Sequence, residues 1–255
     1  MRKSLLVLLL WAPAAMAVLH LPAQRLDQPS QQAIQHFLLH NRILDTPEDL
    51  DNAPYIVATD AGQVLAANGD RVYARGSLDP TQPDYGIFRQ GKAYTDPQTH
   101  ELLGINADDI GTVRFVMAGD LTTLAVQRVT QEIRPGDLLL RAEAPVGSAT
   151  KRPAPFIAGH IIDIPKGVTQ IGVLDAVILN KGRRDGLIEG QRLNVIKTGA
   201  TVRDALTGVA TRLPDKRAGT LLVFRTYEKL SYGLVLGASR PLAVMDRFET
   251  AEQTQ

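Results

Sequence analysis

Displaced by 108 residues, this sequence meets itself. Gly91 falls on Gly199, Asp96 on Asp204, Thr99 on Thr207, and Gly111-Thr112 on Gly219-Thr220, with no gap across the window. Ile87-Phe88-Arg89 meets Val195-Ile196-Lys197 in matching chemical type. The shared unit is a strand, a glycine-marked turn, a polar loop carrying an aspartate, and a Gly-Thr step into a long strand. A hairpin used twice at this period constrains the chain to two related units. Small β units of this kind limit their exposed edges by closing on themselves.

The flanking sequence has the matching texture. Short β-prone runs recur at Tyr55-Ile56-Val57-Ala58, Arg71-Val72-Tyr73-Ala74 and Val113-Arg114-Phe115-Val116, punctuated by Asn68-Gly69-Asp70, Gly86, Gly91, Asp96-Pro97 and Ala118-Gly119-Asp120. The pattern resumes with His160 to Ile164 and Ala176 to Leu179, and ends in two long runs, Leu221 to Tyr227 and Tyr232 to Leu236. Between Asn180 and Gln191, glycines at 182, 186 and 190 mark a compact connection in which Leu187 is placed to plug a barrel end. Residues 141–157 hold three prolines with Ala, Ser and Gly and read as a linker.

Residues 18–52 read as a helical segment. Asp27 and Ser30 flank Pro29 at a helix start, with Ile34, Phe37, Leu38 and Asn41 at helical spacing. Thr46 ahead of Pro47 marks a second helical turn. The expected architecture is therefore mainly β: two small tandem β-barrel-like domains, 53–140 and 158–250, preceded by a short helical segment and followed by a disordered tail, 251–255. The narrow apolar helix face can pack on the chain's own β domain or on a partner. The two long strands can lie at an edge or at a centre. Ile34, Phe37, Leu38, Phe224, Tyr227 and Tyr232 are thus the candidate partner-contacting residues.

At the start, Arg2 and Lys3 precede the apolar run Leu5 to Trp11 and then Ala14, Ala15, Met16 and Ala17. This is the layout of a secretory signal peptide, residues 1–17, cut after Ala17. The run is too short for a membrane span, which needs about 20 apolar residues, and Pro13 interrupts it. A periplasmic chain with no transmembrane segment after cleavage is expected. Removing Arg2 and Lys3 from 28 basic residues leaves 26 against 27 acidic, which argues against nucleic acid as a partner. The absence of cysteine excludes disulfides, thiolate metal sites and a cysteine nucleophile. Trp11, the single tryptophan, leaves with the leader, which removes one means of stacking a sugar.

Chemistry-bearing patterns are scarce. No Gly-x-Ser-x-Gly elbow, phosphate-binding loop or dinucleotide fingerprint occurs. His36 and His40 have a ligand-like spacing, but Phe37 stands where a zinc protease has its glutamate. Asp108 and Asp109 read as a solvated loop, and Lys181, Arg183 and Arg184 as an exposed basic turn. We therefore expect no enzyme, no catalytic residue, no metal and no cofactor.

Gly69-Asp70-Arg71-Val72-Tyr73-Ala74-Arg75-Gly76 with Tyr85-Gly86-Ile87-Phe88-Arg89-Gln90-Gly91 resembles the region after the LysM module in LysM-containing periplasmic proteins, a group that includes the type IV pilus secretin-associated protein family. Val177 to Gly182, Asp185-Gly186-Leu187 and Arg217 to Arg225 are similar to the C-terminal part of the same proteins, itself similar to the C-terminal domain of a flagellar assembly protein. The likeness spans roughly residues 25–250 in one order. It implies a scaffold or accessory protein associated with an envelope complex, the outer-membrane secretin above all, with peptidoglycan binding as the alternative. Family members carry a Tyr-x-Val-x-x-Gly-Asp-Thr-Leu-Trp type LysM start after the leader. No such run occurs here, so the expectation is the scaffold region without its wall anchor.

Overall fold

The computed structural model describes residues 27–60, 67–141, 143, 155–165 and 171–251. The expected leader with its cleavage point at Ala17, most of the 141–157 linker, and tail residues 252–255 lie outside the described residues. Two helices, α1 (Gln28–His40) and α2 (Pro47–Asp51), bracket strand β1 (Asn41–Leu44). Then come β2 (Tyr55–Thr59), β3 (Arg71–Arg75), β4 (Asp84–Thr95), β5 (Leu102–Met117), β6 (Thr122–Val129) and β7 (Leu138–Arg141). The second half contains β8 (Ala158–Asp163), β9 (Ala176–Leu179), β10 (Arg192–Lys197), β11 (Thr201–Arg203), β12 (Ala210–Arg212), β13 (Lys216–Thr226), β14 (Ser231–Ala238) and β15 (Arg247–Thr250).

Both halves are antiparallel and self-closing. In the first, the strand order β1-β5-β4-β7-β2-β3-β6 is closed by a β5–β6 pairing that leaves β1 outside the ring, so every strand from β2 to β7 has at least two neighbours. The 16 residues of β5 make this possible: its first half pairs with β1 and β4, its second half with β4 and β6. In the second half, β10-β13-β14-β9-β8-β15 form a closed barrel. Ile56, Ile87, Ile110, Val113, Leu124 and Leu139 fill the first unit, and Ile161, Leu179, Leu193, Leu221, Val223 and Phe248 the second. Leu187 is buried in that second core, in the plugging position expected of it, beside Gly186 and Gly190 at φ +94° and +84°.

The duplication holds at the level of single hydrogen-bond registers. Ile87 pairs with Gly111 and Val195 with Gly219, each followed by a bulge between the strand residues 87/88 and 195/196. The next hairpins repeat as well: bulges fall at Thr112/Val113 and Phe115/Met117 in one unit, and at Thr220/Leu221 and Val223/Arg225 in the other. Bulges re-aim strands and are features of a barrel's closure. The recurrent glycine has a steric cause. A Cβ on Gly111 would stand 2.2 Å from the Arg128 carbonyl oxygen, and one on Gly219 would stand 2.8 Å from that of Gly237.

The loop of each repeat is built the same way. Asp96 Oδ1 accepts from the amides of Gln98 and Thr99, and Asp204 Oδ1 from those of Leu206 and Thr207. The turn then needs a left-handed residue: His100 takes φ 59° where the second copy has Gly208 at φ 69°.

Three expectations need correction. The segment 18–52 is not helical throughout, since Asn41–Leu44 leaves the helix to pair with Asp108–Ile105 on the part of β5 that β6 does not cover. Asp108 and Asp109 lie within β5, not in a loop. The runs Leu221–Tyr227 and Tyr232–Leu236 offer no edge, because β13 sits between β10 and β14, and β14 between β13 and β9. The capped turn at Thr46 forms as expected: Thr46 Oγ1 accepts from the Asp49 amide, and Asp49 Oδ2 accepts from the Thr46 amide.

Candidate functional site

The two units meet along a seam built from three surfaces. One is the narrow face of α1, where Ser30, Ile34 and Phe37 recur at intervals of four and three and are buried. Asn41 closes the helix by donating its side-chain amide to the Phe37 carbonyl at 3.0 Å. The second is the far end of the β4–β5 hairpin, hereafter the first arm, which contributes Tyr94 and Leu103. The third is the outer face of the second barrel, where Ile178, Leu222, Phe224, Tyr232 and Leu234 are turned away from the barrel interior and join the same cluster.

Aromatic rings dominate the contact. Phe37 meets Phe224 and Tyr232 edge-on at 5.6 and 4.8 Å between centroids, while Phe224 and Tyr232 stack at 5.7 Å. Tyr227 meets Tyr232 edge-on at 5.4 Å and donates its hydroxyl to Glu143 at 3.0 Å. Burial holds the Tyr232 phenol well above its ordinary pKa.

The six candidate contact residues all lie in this seam. Ile34, Phe37, Phe224, Tyr227 and Tyr232 are all buried, and Leu38 is half-buried against them. The structure brings the six together, but on one another within a single chain. The helix face packs on the chain's own β domain.

Polar groups fasten the seam around its rim. Asn180 donates to Asp96 Oδ2 at 2.8 Å, while its own side-chain oxygen accepts from the His160 amide at 2.6 Å. Arg184 grips Glu101 with two nitrogens at 2.6 and 2.7 Å, and Lys229 reaches the same carboxylate at 3.0 Å. These hydrogen bonds, Arg184 first and Lys229 second, lower the Glu101 pKa from 4.5 to about 2. Lys92 pairs with Asp163 at 2.9 Å. Arg184 of the expected exposed basic turn is therefore an interdomain clasp, and Lys181 is held by Asp185 at 3.2 Å.

A second polar node joins α1 to the first unit. The Asp109 side chain is 3% exposed, receives Arg128 through two hydrogen bonds of 2.8 Å each, and lies 3.0 Å from His40 Nδ1. His36 and His40 touch edge-on at 5.0 Å between ring centroids. Among the described residues no group of three His, Cys, Asp or Glu side chains is placed to hold a metal ion. A shallow groove of about 740 Å³ runs over Phe156, Arg192, Asn194, Arg217 and Glu249 on the second barrel. Basic and amide groups line it, with one carboxylate and no neighbouring histidine, so it lacks a converging acid and base.

The most exposed apolar surface is elsewhere. The second arm, β11–β12 with its connecting loop, is the structural duplicate of the first, yet every residue of both strands is exposed. Leu206 at its tip is 97% exposed, and Val202, Val209 and Leu213 are also open. The internal repeat signalled this arm, but nothing local in its sequence distinguishes a free arm from a docked one.

No protein-family model matches the chain, and no curated protein is significantly similar to it. No helix among the described residues is long and apolar enough to cross a membrane.

Proposed function

We propose that this chain is a non-enzymatic periplasmic scaffold that associates with an envelope complex, most specifically the outer-membrane secretin of type IV pili. The observation that carries the reading is the ordered resemblance running from Gly69 to Gly91 and from Val177 to Arg225. The export-type segment from Arg2 to Ala17 supports the compartment. The geometry is compatible with a docking role: buried charges at Asp109 and Asp96 fasten elements to one another, and the second arm carries the exposed apolar residues Val202, Leu206 and Val209.

The test is to isolate the secretin from detergent-solubilised envelopes of cells carrying the tagged chain. The chain should copurify in mild salt, and its absence would contradict the pilus assignment. In a parallel arm, saturable pelleting with purified sacculi would replace the scaffold reading with wall binding.

A further inference from the structure

The duplication supplies a rule for what the free arm binds. In the first unit, the arm crosses to the outer face of the other barrel, where Tyr94 and Leu103 meet Phe224, Tyr232 and Ile178. Barrel registers identify the corresponding face on the first unit. Leu222 pairs with Leu234 and Arg225 with Tyr232, as Arg114 pairs with Ala125 and Met117 with Thr123. Ile178 opposite Tyr232 likewise corresponds to Tyr73 opposite Thr123. On the long strand, Val116 stands where Phe224 stands in the second unit.

That corresponding face is open along β5, where Arg114, Val116 and Met117 are exposed, while Tyr73 and Ala125 are half-buried and Thr123 is buried. Val116 is 50% and Met117 62% exposed, at the C-terminal end of the 16-residue strand β5. The chain thus has one arm-on-face contact made internally, one arm without a face, and one face without an arm. Every residue of β11 and β12 is exposed, so the arm's own barrel leaves it uncovered.

We infer that the second arm (201–212) docks on the β3–β5–β6 outer face of a second copy of this chain, with Val202, the counterpart of Tyr94, against Val116. Each copy offers one arm and one face, so assembly closes as a reciprocal dimer or proceeds head to tail into a ring or a filament. The contact is weaker than the internal one. Arg114 and Ala125 replace Leu222 and Leu234, Val209 replaces the clasping Glu101, and no counterpart of α1 adds an aromatic ring. A contact this small belongs with weak interfaces, of about micromolar dissociation constant. The inference is independent of the secretin reading.

The experiment is sedimentation velocity on the purified chain from about 1 to 200 μM, a range that spans micromolar affinity. The wild type should show concentration-dependent self-association. Val202→Asp and Val116→Asp change exposed side chains and should each give folded monomers by circular dichroism. An equimolar mixture of the two should form dimers only, through the intact face of Val202→Asp and the intact arm of Val116→Asp. A monomeric wild type over the whole range would overturn the inference. So would self-association of Val116→Asp alone, which would mean symmetric arm-to-arm pairing. Because the chain has no cysteine, a Val202→Cys/Val116→Cys double variant adds a direct readout. Oxidation should yield a crosslinked dimer or an intermolecular ladder, and a monomer band alone would contradict the docking.

Discussion

Asp109 carries a charge into a 3% exposed position on β5, and its stability there depends on the Arg128 guanidinium and the His40 ring. Removing the arginine leaves the carboxylate buried without its main partner, a change that typically costs about 3 kcal/mol. Arg128→Ala should therefore lower the urea midpoint markedly. The double variant Arg128→Ala/Asp109→Asn should recover part of the loss, because the uncompensated charge is gone. Strict additivity of the two single changes would show that the pair is not coupled. At Gly111 the constraint is steric rather than electrostatic. Gly111→Ala forces a methyl group to 2.2 Å from a backbone oxygen, so we expect at least about 2 kcal/mol of destabilisation, read as a fall in thermal midpoint.

At the scale of elements, the seam hangs on Phe37, whose ring contacts Phe224 and Tyr232. Phe37→Ala should cost about 3–5 kcal/mol, as removal of a buried aromatic ring does, and an unchanged denaturation curve would mean α1 does not belong to the folded body. The β hairpins were legible in the sequence because the register is fixed by marks that survive duplication, above all Gly111 and Gly219 and the Asp96 and Asp204 loops. Strand β1 was not legible. Four residues, Asn41–Leu44, are too few to display a period of two, and only the overhanging half of β5 makes them a strand. The Asp109 node was equally hidden, because His40 lies 69 residues away in sequence and the pairing exists only after β5 meets α1. Phe224 and Tyr232 stood out in the sequence only as candidate contact residues on long apolar runs. Which surface they face is a property of the closed barrel, where outward-facing apolar residues need a cover that sequence spacing does not identify.

For the molecule as a whole, the two units form one body because α1 and the first arm pack on the outer face of the second barrel and Arg184 clasps Glu101 at the rim, while the second arm stays free. The Glu101 clasp makes part of that union acid-sensitive. Its folded pKa of about 2 lies below the unfolded 4.5, so its contribution is complete above pH 4.5 and is lost as pH falls toward 2. The pair is partly solvent-exposed and screened, which limits the effect to about 0.5–1 kcal/mol. Glu101→Gln should abolish that portion of the acid sensitivity while lowering stability at neutral pH, and an unaltered pH profile would remove Glu101 from the seam. The asymmetry between the duplicated arms is the most direct consequence of the whole account. Amide hydrogen exchange on the chain at a concentration where it is monomeric measures it. Residues 92–104 should be protected to nearly the level of the barrel strands, and residues 201–212 should exchange orders of magnitude faster. Equal protection of the two arms would contradict the account.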